Sequence, residues 1–466
     1  MRYQSRFFRS FLLVIFVSIA AAAAHADAVD DLVRARMAER HVPGVAVAVI
    51  KNGKVVKTKG YGVASVEFNV PVTPETVFEI GSVSKQLTAA GIMLLVQDGR
   101  IELDEKISKY LPGTPEGWKE VTVRNLLTHT SGVKSYSSLT GFELSKRMKR
   151  DDFIKELAPH PLDFPPGSRY NYSNSGYNLL GYIIESVSGK NYWAFMRERI
   201  FQPLGMTKTA DRDPQYIIPN RAVGYEWERG RLTGRDGNLT DLQGAGAIVS
   251  TVGDLAKWDA ALRGDSFLTK DTKAELWKPF TLADGTVSQY GLGWRMSDIR
   301  GHKMIGHTGQ TAGFGAAIFR YVDDGVTVIV LSNLGEVGLG GQIASGIAKL
   351  YIPSMSLKAM KSVPETNSKL AGQLSNAIRL RMKNETDSDV MSAELVRSLS
   401  TERARNAGSR ITAFGPLKQI VFVGEETSGG KTVYRYKVDT AERIFLWRAA
   451  VNDEGKVSEL TLEEEE

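Results

Sequence analysis

Two segments far apart in the chain carry the strongest constraint on its fold, because each reads as an antiparallel hairpin. In "VPGVAVAVIKNGKVVKTKGYGVAS" the β-rich runs Val45–Ile50 and Lys54–Gly60 flank Asn52-Gly53, a pair suited to a two-residue turn with positive φ at both positions. In "FGAAIFRYVDDGVTVIVLSN" two apolar runs flank Asp323-Asp324-Gly325, and "YGLGWRM" upstream gives a further strand signal. Between them, from Ser82 to about Leu262, apolar positions such as Leu87, Ile92, Leu94 and Leu95 recur at helical spacing, broken by Gly and Pro loops. Two sheet-forming ends thus flank a helical middle. The simplest arrangement joins the ends in one antiparallel sheet covered by helices, with the middle as a helical lobe against it.

The flanks read differently. Residues 1–26 hold Arg2, Arg6 and Arg9, the apolar run Phe11–Ala24, and "AHA" directly before Asp27. That is the pattern of a cleaved Sec-type signal peptide, with an apolar core too short to span a bilayer. A periplasmic or secreted location is expected, with the mature chain starting near Asp27 and no membrane span after it. The formal net charge of +6 falls to +3 without the leader arginines, so nucleic acid is not implied as a partner. With no cysteine, a disulfide framework, a thiol nucleophile, a cysteine-rich zinc site and a lipidated N-terminal cysteine are excluded. The main domain is placed at 27–352. A polar, Pro-marked stretch at 353–369 reads as a linker. Residues 370–466 read as a small α+β accessory domain of helices and then meander strands, with Asp453–Gly455 at a turn.

The sequence "FEIGSVSKQLTAAGIMLLVQDG" sets Lys85 into an apolar helix three residues after Ser82. A serine needs a base to become a nucleophile, and a lysine at i+3 lies on the same helical face. The same spacing occurs at Ser131 to Lys134 and Ser428 to Lys431, but with glycines in turn-like sequence; only Ser82 follows Gly81 into a long helix, where free N–H groups and the helix dipole favour an oxyanion. Tyr172-Ser173-Asn174 falls on a loop just before the next periodic helix, where Asn174 or Ser175 can equally serve as the N-cap. His307-Thr308-Gly309 runs into a strand whose small residues allow close approach of a substrate backbone.

Taken in order, "SVSK", "YSN" and "HTG" resemble the signature of the penicillin-recognising serine hydrolases: class C β-lactamases, DD-peptidases and the related esterases and D-aminopeptidases. The resemblance extends from Val42 to about Asn333 and includes "LLTHTSG", "FPPGSRYNYSN", "GAGAIVSTVGDLAKW" and "GHTGQTAGF". It implies an α/β fold of the β-lactamase/transpeptidase type and an acyl-enzyme mechanism that uses no cofactor and no metal. Ser82 would be the nucleophile, and Lys85 and Tyr172 would share the base role, Tyr172 only if the charge of Lys85 favours its phenolate. Asn174 would hydrogen-bond Lys85 or the substrate amide. The backbone N–H groups of Ser82 and Gln310 would form the oxyanion hole, and His307, Thr308 and Gly309 would line the substrate strand.

Class C β-lactamases have lysine at the position of His307, and a neutral imidazole holds a β-lactam carboxylate less firmly. Ester or D-amino-acid peptide hydrolysis is therefore the leading expectation. The alternatives are a β-lactamase or DD-carboxypeptidase of the cell-wall pathway and a catalytically silent peptidoglycan or drug sensor. The substrate would be a small ester, peptide or β-lactam; the oligomeric state is not readable. No G-x-S-x-G elbow and no H-E-x-x-H helix occurs, and His129, in its apolar-then-small setting, reads as a packed structural histidine.

Overall fold

The structure is a computed structural model that describes residues 28–141, 148–235, 237, 243–365, 367–428 and 431–465. The expected signal peptide, 1–26, lies outside the described residues. The chain divides into two compact units, Met1–Tyr351 and Ile352–Glu466.

In the first unit the two hairpins meet in one sheet. Strands β1 (Gly44–Lys51), β2 (Lys54–Ser65) and β3 (Val70–Pro71) come from one end of the unit; β4 (Arg295–Ile299), β5 (His302–Thr311), β6 (Phe314–Tyr321) and β7 (Val326–Ser332) come from the other. The spatial order is β4-β5-β6-β7-β1-β2-β3, and every pairing is antiparallel. The join is β1 on β7, in register from Val45↔Ser332 to Lys51↔Val326. Asn52 and Gly53 both take positive φ, as a tight hairpin turn requires. The two hairpin tips also touch, with Asn52 N donating to Gly325 O at 2.8 Å.

Every residue from Gly44 to Ile50 is buried, which requires cover on both faces of β1. Ala46, Ala48 and Ile50 join Ile329 and Leu331 in the main core, to which helix α4 (Val252–Arg263) adds Val252, Leu255 and Trp258. Helix α5 (Leu339–Tyr351) packs on β6 and β7; its buried Ile343 and Ile347 stand outside that core, as do Val45, Val47 and Val49. Helix α1, residues 28–39, precedes β1. The lobe between the sheet-forming ends is built around α2 (Ser84–Gln97), buried at every position from Ser84 to Leu95, and α3 (Asn174–Ser188) packs beside it. A helix apolar nearly all round belongs at the centre of a lobe.

The second unit has helices α6 (Ser368–Met382), α7 (Ala393–Leu399) and α8 (Glu402–Thr412), then strands β8 (Leu417–Ser428), β9 (Lys431–Thr440), β10 (Ile444–Val451) and β11 (Val457–Glu465) in sequential order. Its core is its own, with Leu374, Ile378, Ile411, Phe445 and Trp447 among its members. The stretch read as a linker is partly built into this unit. It forms two 3-10 turns, Pro353–Met355 and Leu357–Ala359, the second packed on β10. Lys437 Nζ donates to Met360 O at 3.1 Å and Val363 N to Phe422 O at 3.1 Å. The proline that signals a chain break here opens a turn instead, a position where its missing N–H costs nothing.

Candidate active site

Ser82 is placed one step before α2 rather than in it. It sits on the 3-10 turn Gly81–Val83, and α2 begins at Ser84. Gly81 makes this turn possible: its φ is 49°, and a Cβ there would come 2.6 Å from Gln310 N. Ser84, buried, accepts from Ile248 N at 3.3 Å and so ties the start of α2 to the neighbouring strand Ile248–Ser250.

Lys85 is fully buried and its ammonium position is completely specified. Nζ lies 3.0 Å from Ser82 Oγ, 2.9 Å from Asn174 Oδ1 and 2.7 Å from Ala245 O. It stands 4.8 Å from the Tyr172 ring centroid and 5.4 Å from that of Tyr177. Burial, and then the charge of Arg295, push its pKa well below the usual lysine value. Asn174 and Ala245 offer only acceptors to it, so a neutral amine spends its two N–H groups on them and turns its lone pair to the Ser82 hydroxyl.

Tyr172 donates from its hydroxyl to Ser82 Oγ at 2.8 Å. Burial raises its pKa well above the ordinary phenol, outweighing the lowering effect of the Ser82 hydrogen bond. The helix cap behind it is Ser173, whose Oγ accepts from Gly176 N, which frees Asn174 at the first helical position to face Lys85. His129 is buried, as its packed setting predicts. Its Nδ1 accepts from Ser173 N at 3.1 Å, which places the ring proton on Nε2. Its ring lies 4.1 Å from that of Tyr172, with Tyr177 at 5.0 Å and Tyr290 at 4.8 Å. The imidazole therefore fixes the loop and the ring that meet Ser82 and does not reach the nucleophile as a base.

Strand β5 supplies the opposite wall. Gly309 is required there: a Cβ would come 1.9 Å from Ile80 O and 3.1 Å from Ser82 N. The backbone amides of Ser82 and Gln310 thus lie on the two sides of a backbone-to-backbone contact. His307 is buried and both its ring nitrogens are engaged: Nδ1 donates to Thr308 O at 2.6 Å, and Nε2 accepts from Tyr290 Oη at 2.9 Å. Burial lowers its pKa to about 3.

Ser82, Tyr172, Arg295, His307, Thr308, Gly309 and Gln310 line one cleft of ≈ 200 Å³, together with Glu336, Val337, Gly338, Gly340 and Gly341 among others. A larger hollow of ≈ 740 Å³, lined by Trp193, Arg197, Tyr216 and Ile217 among others, lies elsewhere and contains no nucleophile beside a base; chemistry, not size, marks the site. Two contributors escaped the sequence reading. Ala245 acts through its backbone carbonyl, which no side-chain pattern reveals. Arg295 begins β4 opposite Gly306 and holds its exposed guanidinium 5.8 Å from the rings of Tyr172 and Tyr290; the arginine inside the strand signal "YGLGWRM" was the available clue.

The family model described as Beta-lactamase matches residues 29–344. The chain belongs to the β-lactamase family. Among curated members it is 32% identical over 320 residues to "Penicillin-binding protein 4*" of Bacillus subtilis (strain 168), covering 64% of this chain and 70% of that protein. It is 28% identical to "Protein flp" of Staphylococcus aureus (strain COL), covering 66% of this chain but only 62% of that relative's length. Among solved β-lactamase-family folds, an octameric penicillin-binding protein homologue from Pyrococcus abyssi matches with TM-score 0.62 at 25% identity, over 94% of this chain and 99% of its own. The D-amino acid amidase of Ochrobactrum anthropi SV3, solved with L-phenylalanine amide, matches with TM-score 0.62 at 27% identity, over 72% of this chain and 100% of its own. The family is one of penicillin-recognising serine hydrolases. Among the described residues no helix is long and apolar enough to cross a membrane.

Proposed function

We propose that the chain is an exported serine hydrolase that forms an acyl-enzyme at Ser82 on small esters or D-amino-acid peptides. The observation that carries this reading is the environment of Lys85: a buried amine of lowered pKa, with Asn174 Oδ1 and Ala245 O as acceptors and Ser82 Oγ as its third neighbour. Neutral Lys85 takes the Ser82 proton as Oγ attacks the carbonyl. The Tyr172 hydroxyl, held on Ser82 Oγ and kept protonated by burial, is placed to give its proton to the leaving group and to take in return the proton that Lys85 accepted, which leaves Lys85 neutral for the second step. The developing oxyanion is received by the Ser82 and Gln310 amides. Water then attacks the ester with the same lysine as base. Thr308 and Gly309 would lie along the substrate, and His307, neutral and fully hydrogen-bonded, would hold the strand rather than bind charge.

A cell-wall carboxypeptidase or β-lactamase is the second reading, favoured by Arg295. Its exposed guanidinium at the cleft offers a substrate carboxylate the charge that His307 does not. Likeness to a penicillin-binding protein and to a D-amino acid amidase supports both readings.

Intact-mass spectrometry after mixing with a p-nitrophenyl ester, a D-Ala-D-Ala peptide and a cephalosporin tests this. The expected result is a covalent adduct in the wild type and none in Ser82→Ala; full activity in Ser82→Ala, or no adduct with any substrate, rejects the mechanism. Arg295→Gln separates the two readings. If the carboxylate-bearing substrates lose about tenfold or more while the neutral ester is unchanged, the second reading is supported. Export predicts that protein made in its own cell begins at Asp27 by N-terminal sequencing.

A further inference from the structure

Near the nucleophile lies a buried ion pair that the mechanism above does not use. Glu79, three residues before Ser82, is 1% exposed. Its Oε1 accepts from Arg212 Nε at 2.9 Å, and its Oε2 accepts from the Thr311 hydroxyl at 2.6 Å. Arg212 is itself buried and anchored, with its N–H donating to Ala247 O at 2.8 Å. The frame is a small antiparallel sheet in which Glu79 pairs with Val249 and Asp211 with Ile248. Thr311 directly follows Gln310 on β5. One carboxylate therefore joins the segment that carries the first oxyanion amide to the strand that carries the second.

Burying a carboxylate costs several kcal/mol unless it is paired and hydrogen-bonded, and packing alone could have been served by apolar side chains. We infer that Glu79, held by Arg212, acts as a positioning residue that clamps Thr311 and thereby sets the separation of the Ser82 and Gln310 amides. The inference rests on the acyl-enzyme reading of Ser82. The contact it controls has little tolerance, since no Cβ fits at Gly81 or Gly309. An oxyanion hole works only when both donors meet the tetrahedral oxygen at hydrogen-bond distance, so a short slide of β5 lowers the rate without removing any group that touches substrate.

Thr311→Val breaks the clamp on the strand side and leaves the Glu79–Arg212 pair in place; Glu79→Gln weakens it at the centre. For ester acylation we expect kcat to fall about tenfold to a hundredfold, KM to stay within about threefold, and the pH profile to keep its shape. Affinity for an arylboronic acid, whose tetrahedral Ser82 adduct places an oxygen in the hole, should fall in parallel with kcat. Thr311→Ser, which restores the hydroxyl, should recover most of the rate. Amide hydrogen exchange over residues 307–311, which needs no turnover, should quicken in Thr311→Val. Unchanged kcat, boronate affinity and exchange in Thr311→Val would overturn the clamp, as would a rate loss that Thr311→Ser fails to recover. Failure of the Ser82 reading is separate: it would appear as a wild type that no substrate acylates, with the exchange experiment still deciding the clamp.

Discussion

The division of labour proposed for Lys85 and Tyr172 follows from what burial does to each. Desolvation disfavours the charged form of both groups, which lowers the lysine and raises the tyrosine. On the proposed mechanism the two shifts act in one direction: Lys85 would be available as a neutral base, and Tyr172 would stay a phenol. The expected pH profile of kcat/KM is a single limb rising to a plateau, its midpoint well below 10.5, the ordinary lysine value. Lys85→Arg, charged at every accessible pH, should lose this limb and about a hundredfold to ten-thousandfold in rate; an unchanged profile would reject Lys85 as base. Neither His129 nor His307 should add an inflection near pH 6.5, because burial holds both imidazoles neutral. They should register in stability instead. The unfolded chain takes up protons on these histidines below about pH 6.5 while the folded chain does not, so stability falls as pH drops. Urea unfolding at pH 6.5 and 5 should show a loss on the order of 1 to 3 kcal/mol.

At the scale of elements, the site depends on segments locked to one another by single polar side chains. Asp30 on α1 accepts from Lys57 and Lys59 on β2 and from the Tyr61 hydroxyl at 2.8 Å. These partners hold its carboxyl well below the usual range even though burial opposes them. Because that pKa is depressed, the contribution is present above about pH 4 and is lost on acidification. Asp30→Ala should cost about 1 to 2 kcal/mol, since it removes the acceptor shared by Lys57, Lys59 and the Tyr61 hydroxyl, and should leave Ser82 acylation intact; a chemical-denaturation curve and the ester assay read the two halves. The hairpins were legible because Asn52-Gly53 and Gly325 announce their turns locally. Asp30's role was not, because its partners lie about thirty residues away in sequence, on another element.

For the molecule as a whole, the main core of the first unit draws on residues 46–331 and that of the second on residues 374–460. The family match ends at residue 344, while the likeness to the Pyrococcus abyssi homologue extends over 94% of the chain. Sequence alone determined the sheet-forming ends, the helical middle, and the three motifs that carry Ser82, Lys85, Tyr172, Asn174 and His307. It could do so because turn residues, hydrophobic period and short catalytic motifs are local patterns. Only the tertiary structure decided that Lys85 is buried against Ser82 Oγ, that His307 spends both nitrogens inside the protein, that Arg295 faces the cleft, and that Glu79 reaches Thr311. Those facts depend on desolvation and on distances between segments far apart in the chain, and both come into being when the chain packs.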